Sequence, residues 1–134
     1  MEELKKLIKI SKRKLEIDKS KDTNERWSKG SEIYFEELRK EIQEAQEENK
    51  ENNHVKLEDE LGDVLWDYIN LLVNLEEEKK IMSDNVFQRA TKKYEERITA
   101  IENNVLWNEI KKKQKEQIKK EIKDNISKVN KREE

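Results

Sequence analysis

Residues 57–75 read LEDELGDVLWDYINLLVNL and form the most apolar stretch of the chain. Apolar side chains recur there at roughly three- and four-residue intervals, a spacing that lines them up along one side of an α-helix. The stripe consists of Leu57, Leu61, Val64, Leu65, Tyr68, Leu72 and Leu75. The pattern predicts a central helix over about residues 54–77, against which other helices pack.

Four further helices are predicted from similar but narrower apolar stripes, over about residues 2–18, 31–50, 84–102 and 105–129. The polar run NKENN at residues 49–53 ends the second helix and suits an antiparallel hairpin with the third. The sequence therefore predicts an all-α fold that resembles a four-helix bundle.

The composition supports this fold class and bounds the number of domains. The chain has 134 residues, no proline and two glycines, and 46% of the residues are charged. We expect one domain with an N-terminal helix and loop (1–24), a helical core (25–102) and a Lys-rich C-terminal helix (103–134). Because so few residues are apolar, the core must be thin, and we expect a subunit interface to add burial in a homodimer or homotetramer.

The charge balance argues against several partner classes. The chain carries 30 basic and 32 acidic residues, and the two signs are mixed, which favours neither nucleic acid nor a membrane surface. The Lys-rich segment 111–123 is interleaved with Glu116 and Glu121, so it is better explained as a solvated helix or an oligomer-packing arm than as a nucleic-acid site. There is no cysteine and no long apolar run, and we expect a cytoplasmic protein.

Two pairs of acids are the candidate site. Glu41 and Glu44 precede Glu60 and Asp63, and each pair has the i, i+3 spacing that puts two carboxylates on one helix face. If the two helices form a hairpin, four carboxylates meet, and their repulsion calls for a cation such as Mg²⁺. Mg²⁺ sites of this kind usually serve phosphate chemistry.

Most acid pairs in so acidic a chain are solvated surface, so the site needs further support. The acids stand one position before apolar residues on both helices, about 100° round from the core stripe, so they flank the core. Gly62 lies between Glu60 and Asp63 and costs roughly 1 kcal/mol of helix stability. A close backbone approach or room for a ligand would explain it, and plain tolerance of the glycine is the alternative. A second register, in which Glu37 pairs with Glu41, is open; the i, i+3 pair of Glu41 and Glu44 is preferred.

The same residues resemble the MazG-type all-α nucleoside triphosphate pyrophosphohydrolases, whose pattern is E-E-x-x-E followed by E-x-x-D in an E-L-G-D segment. The matching segments are Lys40-Glu41-Ile42-Gln43-Glu44 and Glu60-Leu61-Gly62-Asp63-Val64-Leu65-Trp66. Asn70, the basic pair Lys93 and Arg97, Trp27-Ser28-Lys29 and the segment 105–111 also resemble family features. The resemblance covers about residues 25–115. Lys40 departs from it by replacing the first Glu, and a His-Pro-His segment of longer relatives is missing before Trp107.

The resemblance implies a Mg²⁺-dependent enzyme, with Mn²⁺ as a possible substitute, that cleaves nucleoside triphosphates to nucleoside monophosphate and pyrophosphate for nucleotide pool control. It implies Glu41, Glu44, Glu60 and Asp63 as metal ligands. Our hypothesis is that a metal-bound water attacks the α-phosphorus while Glu41 or Glu44 orients or deprotonates it.

Five further residues are candidate substrate contacts. Lys93 and Arg97 would hold the outer phosphates, within one subunit or across a subunit interface; a solvated charge pair is the alternative. Trp27 would stack on the base, or else pack on the core as a loop aromatic. Lys29 and Asn70 complete the set.

Two other functions stay open. The chain can be a non-enzymatic helical oligomerisation or regulatory module whose acids are plain surface, although that leaves Gly62 and the acid placement unexplained. It can also be a phosphoribosyl-ATP pyrophosphohydrolase, which shares the four-acid core; the Trp27 and Trp107 segments favour the nucleoside triphosphate enzyme.

Overall fold

The computed structural model describes residues 2–20 and 30–133, with side chains through residue 129, and the regular structure of these segments is α-helical. The helices are α1 (Glu2–Ser20), α2 (Ser31–Glu47), α3 (His54–Glu77), α4 (Ser83–Glu102) and α5 (Trp107–Glu133). The all-α fold class predicted from the sequence is confirmed.

The helices form two compact units, Met1–Ser83 and Asp84–Glu134. In the first unit both α1 and α2 pack on α3, which makes α3 its central helix. This arrangement follows from composition, because α3 is the most apolar helix and offers the widest face for burial. The assignment of the whole chain to a single domain stays a prediction.

The hairpin of α2 and α3 is closed at its turn by side-chain hydrogen bonds. Asn53 Nδ2 donates to the main-chain oxygen of Glu48 and to its Oε2, both at 2.8 Å. Asn52 takes the left-handed conformation, with φ of 59°, a region that asparagine tolerates better than most residues. The residues predicted to form the loop therefore form the turn that places α2 and α3 side by side.

The other end of the hairpin is joined by a carboxylate. The main-chain nitrogen and the hydroxyl of Ser31 each donate to Glu78 at 2.8 Å, so Glu78 caps the first turn of α2. Burial raises the pKa of Glu78, but hydrogen bonds from Lys80 and Ser31 outweigh it and lower this pKa below its ordinary value. Gly30 precedes the helix at φ of 82°, where a side chain would be strained.

The apolar core of the described residues is small. Ile33, Tyr34 and Leu71 form its centre, with Leu38 and Leu75 packed against them. The buried apolar residues are Ile33, Tyr34, Ala45, Ile69, Leu71, Leu72 and Val73. They lie mostly on the C-terminal half of α3, the half from which Asn70 and Glu77 reach α1.

The N-terminal half of α3 keeps part of its predicted stripe in contact with solvent. Leu61, Leu65 and Tyr68 are 51%, 44% and 39% exposed. The stripe predicted from periodicity is thus wider than the face that α1 and α2 cover.

In the second unit, side-chain hydrogen bonds connect α4 to α5. Arg89 Nη1 donates to Glu121 at 2.9 Å, and Arg97 Nε donates to Gln114 at 2.7 Å. Within the described part of the chain, no helix combines the length and apolarity that crossing a bilayer requires.

A fully buried polar pair ties α1 to α3. Ser11 is 0% exposed and Asn70 is 1% exposed. The Ser11 hydroxyl donates to Asn70 Oδ1 at 2.7 Å, and Asn70 Nδ2 donates to the carbonyl of Trp66 at 2.8 Å. Since buried polar groups are costly when unpaired, this pair fixes which face of α1 meets α3.

Replacing Ser11 by alanine removes the donor to a buried oxygen of Asn70. We expect the free energy of unfolding, measured by urea denaturation, to fall by about 1–3 kcal/mol. Ser20→Ala is the matched control because the Ser20 hydroxyl donates to Ile17 at an exposed site, and its effect should stay within about 0.5 kcal/mol. Equal losses in both variants would contradict the role assigned to the buried pair.

Candidate metal centre

Carboxylates from α2 and α3 meet between the two helices in two groups. Glu37, Glu41 and Asp67 form one group, and Glu41, Glu60 and Asp63 form the other. Within each group, one oxygen from every residue lies within 4.8 Å of the others. Glu41 belongs to both groups and is their centre.

Three of the four residues predicted as metal ligands are therefore brought together. Glu41 comes from α2, while Glu60 and Asp63 come from successive turns of α3. The fourth, Glu44, is exposed and belongs to neither group. Its charge nevertheless acts on Glu41, one turn earlier on α2.

Burial and like charge act together on Glu41. Burial raises the pKa of Glu41, and the negative charge of Glu44, a hydrogen bond with Glu44 and the charges of Asp63 and Asp67 raise it further, to about 7. Glu41 makes no ion pair with a described residue. At neutral pH and without a cation, this carboxyl group therefore holds its proton for a substantial part of the time.

Two oxygens of this cluster are enclosed without a partner. Oε2 of Glu41 and Oε2 of Glu60 are cut off from solvent and accept no hydrogen bond from any described residue. Enclosed carboxylate oxygens are costly when unpaired, and a cation would relieve that cost. Oxygen is also the ligand type that Mg²⁺ prefers. The residues present thus fit a hard divalent cation, with Glu41, Glu60 and Asp63 as the set that would hold it.

Two acids near the core were placed outside the predicted ligand set. Glu37 and Asp67 are 7% and 6% exposed, although both are charged residue types that are rarely buried. Burial raises the pKa of Asp67 to about 6, with the charges of Glu37, Asp63 and Glu44 as further causes. The signal in the sequence was the i, i+4 spacing of Glu37 with Glu41 and of Asp63 with Asp67, which extends each acid line by one turn towards the core.

Lysines stand at the edge of the cluster. Lys40 Nζ lies 3.6 Å from Glu37 Oε1, and Lys56 Nζ lies 3.4 Å from Glu60 Oε1. Both lysine side chains are more than half exposed, so they offset little of the negative charge at the centre. Lys40, which replaces a Glu of the resembling pattern, here pairs with an acid of the first group.

Gly62 lies beside the second group, and the space around it is open. No described atom outside its own helix and chain neighbours lies within 4 Å of a Cβ built on this residue. A close backbone approach within the described chain therefore does not explain the glycine. Room for a ligand stays a possible reason for it.

The predicted substrate contacts fall in three different surroundings. Asn70 is buried and engaged with Ser11 and Trp66. In the second unit, Lys93 is exposed on α4, whereas Arg97 is 7% exposed. Trp27 and Lys29 lie outside the described residues.

Comparison with known proteins adds one finding. The family model of the MazG nucleotide pyrophosphohydrolase domain matches residues 29–101, which include both carboxylate groups and the basic pair on α4. No curated protein and no solved structure matches the chain.

The raised carboxyl pKa values predict how stability depends on pH when metal is removed. An acid whose pKa is raised by folding opposes folding once the unfolded chain ionises. For Glu41 this window runs from 4.5 to about 7, and for Asp67 from 3.8 to about 6. The free energy of unfolding in EDTA should therefore fall as pH rises through these windows, and Glu41→Gln should flatten the decline.

Urea denaturation between about pH 5 and pH 7.5 measures this decline. Glu58→Gln, an exposed substitution of the same kind on α3, should keep the wild-type slope. A metal-free protein that gains stability with rising pH, or a Glu41→Gln slope equal to that of the wild type, would contradict the prediction.

Proposed function

This chain belongs to the MazG nucleotide pyrophosphohydrolase domain family, and we propose that it is a Mg²⁺-dependent enzyme that hydrolyses nucleoside triphosphates between the α- and β-phosphates. The products are a nucleoside monophosphate and pyrophosphate. The observation that carries the proposal is Glu41, which stands in two carboxylate groups and has an enclosed oxygen that accepts no hydrogen bond.

The carboxylates of α2 and α3 hold the cation in this proposal. Glu41, Glu60 and Asp63 supply ligand oxygens, and Glu44 at the exposed edge completes the set of four predicted from the sequence. When bound, Mg²⁺ neutralises triphosphate charge and makes water a better nucleophile. The hairpin brings the ligands together before substrate arrives, which limits the reorganisation that binding requires.

A carboxylate also acts as the general base that accepts the proton of the attacking water. The water oxygen bonds to the α-phosphorus while the bond from that phosphorus to the bridging oxygen of the leaving pyrophosphate breaks. Glu44 or Glu41 orients the water and accepts its proton. Glu44 suits this role because its exposed position gives it access to a water on the open side of the cluster.

Residues outside the cluster bind the rest of the substrate. Lys93 and Arg97 hold the outer phosphates, and Trp27 and Lys29 contact the nucleoside end. For Asn70, a contact with substrate requires its amide to exchange the hydrogen bond from Ser11 for one to the ligand.

Self-association belongs to the proposal as well, as a homodimer or homotetramer. The half-exposed apolar residues Ile42, Leu61 and Leu65 follow or precede the acids on α2 and α3, and covering them would add the burial that the small core lacks. We expect a cytoplasmic enzyme that controls the nucleotide pool.

A pyrophosphate-release screen over standard and modified triphosphates tests the activity. We expect release that depends on Mg²⁺ or Mn²⁺, and at least about a 100-fold loss of kcat/KM for Glu44→Gln and Asp63→Asn, since each removes charge that the transition state needs. Asp59→Asn, one turn before Asp63 on the exposed surface of α3, is the matched control and should keep near-wild-type activity. Wild-type rates in both site variants would show that the site is wrongly assigned.

Binding of the cation can be tested apart from turnover. Mg²⁺ at about 100-fold excess over its Kd should add about 2.7 kcal/mol of stability, seen as a higher Tm, and a non-hydrolysable triphosphate should add to it. Glu60→Gln should abolish the Mg²⁺ effect and Glu58→Gln should retain it. A wild-type Tm that neither ligand changes would favour the non-enzymatic helical module.

A further inference from the structure

Arg97 on α4 is a buried cation that has no carboxylate partner in the described part of the chain. The residue is 7% exposed, yet no described acid lies within ion-pair distance of its guanidinium. Arginine is rarely buried unless it is paired, because an isolated charge loses its hydration. Other groups around the side chain must therefore stabilise its buried charge.

Two aromatic rings enclose the guanidinium. Its Cζ lies 5.3 Å from the ring centre of Tyr94 on the same helix and 5.0 Å from that of Trp107 at the start of α5. Both distances are within the range of cation–π attraction. The rings stabilise the positive charge, but they accept no conventional hydrogen bond, so the N–H groups of the guanidinium can still donate to other groups.

Gln114 on α5 takes one of these donors and fixes its own amide in doing so. Gln114 Oε1 accepts from Arg97 Nε at 2.7 Å. Its Nε2 donates to the carbonyl of Lys93 at 3.0 Å and to Glu96 Oε2 at 3.1 Å. The reversed amide would set donor against donor and oxygen against oxygen, so this orientation is strongly preferred.

With Nε occupied, the two terminal nitrogens of Arg97 are what remains. Among the described residues none accepts a hydrogen bond from them. Arg97 lines a cleft of about 880 Å³ between α4 and α5. The other basic residues on this cleft are Arg89, Lys92, Lys93, Lys115 and Lys119, against the acids Glu96 and Glu121.

We propose that Gln114 and Trp107 are positioning residues that hold Arg97 so that its two terminal nitrogens bind an oxyanion of the polyphosphate. The paired terminal nitrogens form a planar fork that matches two phosphate oxygens. The inference rests on the proposed function, in which Arg97 holds the outer phosphates. It assigns a role to α5, which lies beyond the 29–101 segment matched by the family.

Binding of inorganic tripolyphosphate to the full chain, measured by calorimetry without divalent metal, tests the inference. Gln114→Ala should weaken this binding roughly tenfold, since a guanidinium hydrogen bond that orients the fork is lost. It should also raise KM for the triphosphate similarly and change kcat less than about twofold. Asn125→Ala, an exposed substitution on α5 outside the residues that line the cleft, is the control and should leave both constants unchanged.

An NMR signal reports on positioning directly. The Nε–H resonance of Arg97 should be protected from exchange in the wild type, lose that protection in Gln114→Ala and keep it in Asn125→Ala. If Gln114→Ala unfolds, substitutions of Trp107 replace it in the test. Trp107 is 37% exposed, so replacing it should disturb the fold less. Trp107→Leu should then weaken tripolyphosphate binding about threefold, and Trp107→Phe should restore it.

The outcomes separate this inference from the proposed function. If no triphosphate is hydrolysed but Gln114→Ala still weakens tripolyphosphate binding, the proposed reaction fails and the positioning role stands. If triphosphates are hydrolysed, yet Gln114→Ala and Trp107→Leu bind tripolyphosphate as the wild type does, the positioning role is overturned. A lower Tm in Gln114→Ala with unchanged tripolyphosphate affinity would also overturn it, as a purely structural contact.

Discussion

Repulsion among the carboxylates between α2 and α3 is the constraint on which the first unit depends. Glu37, Glu41 and Asp67 form one crowded group, and Glu60 and Asp63 form a second group with the same Glu41. Without a cation, protonation of the carboxyl groups relieves this repulsion. The raised pKa values of Glu41 and Asp67 reflect this effect. The small core around Tyr34 must offset what remains. A site that destabilises its own scaffold is typical of functional positions, where binding rather than folding stabilises the arrangement.

The two units differ in the charge of the groups that their own described residues leave unpaired. The first contains enclosed carboxylate oxygens, and the second contains a buried guanidinium, that of Arg97, with no carboxylate partner among the described residues. A metal–triphosphate complex carries both of the missing charges. Each unit, taken by itself, thus offers groups that suit one part of the proposed ligand.

Much of the fold could be predicted from the sequence. Of the four carboxylates predicted to meet, Glu41, Glu60 and Asp63 lie together and Glu44 does not. Helical periodicity and the polar run at residues 49–53 were enough to predict the hairpin, because both signals are local. The i, i+3 spacing places Glu60 and Asp63 on one face of α3, and the hairpin brings Glu41 of α2 next to them. Burial was less predictable: Leu61 and Leu65 belong to the stripe but stay half-exposed, since α1 covers the other half of α3. Glu37, which entered only through the second register, and Asp67 were left outside the predicted ligand set, because a local pattern does not show how deeply a residue is buried. No pattern in the sequence indicated Gln114, because its role depends on a contact with Arg97, which lies 17 residues earlier on another helix.

The bonds from Ser31 to Glu78 make α2, the turn and α3 a closed ring, since they join positions 47 residues apart in the chain. A Cβ at Gly30 would lie 2.9 Å from Glu78 Oε2, so the atoms at this junction are closely packed. A helix that slides by one residue turns by about 100° and moves by about 1.5 Å. With both ends of the ring tied, an inserted or deleted residue inside α2 or α3 cannot be absorbed by sliding and would have to bulge. Length variation among homologous chains should accordingly gather in the six-residue turn and after residue 78, and spare the two helical arms.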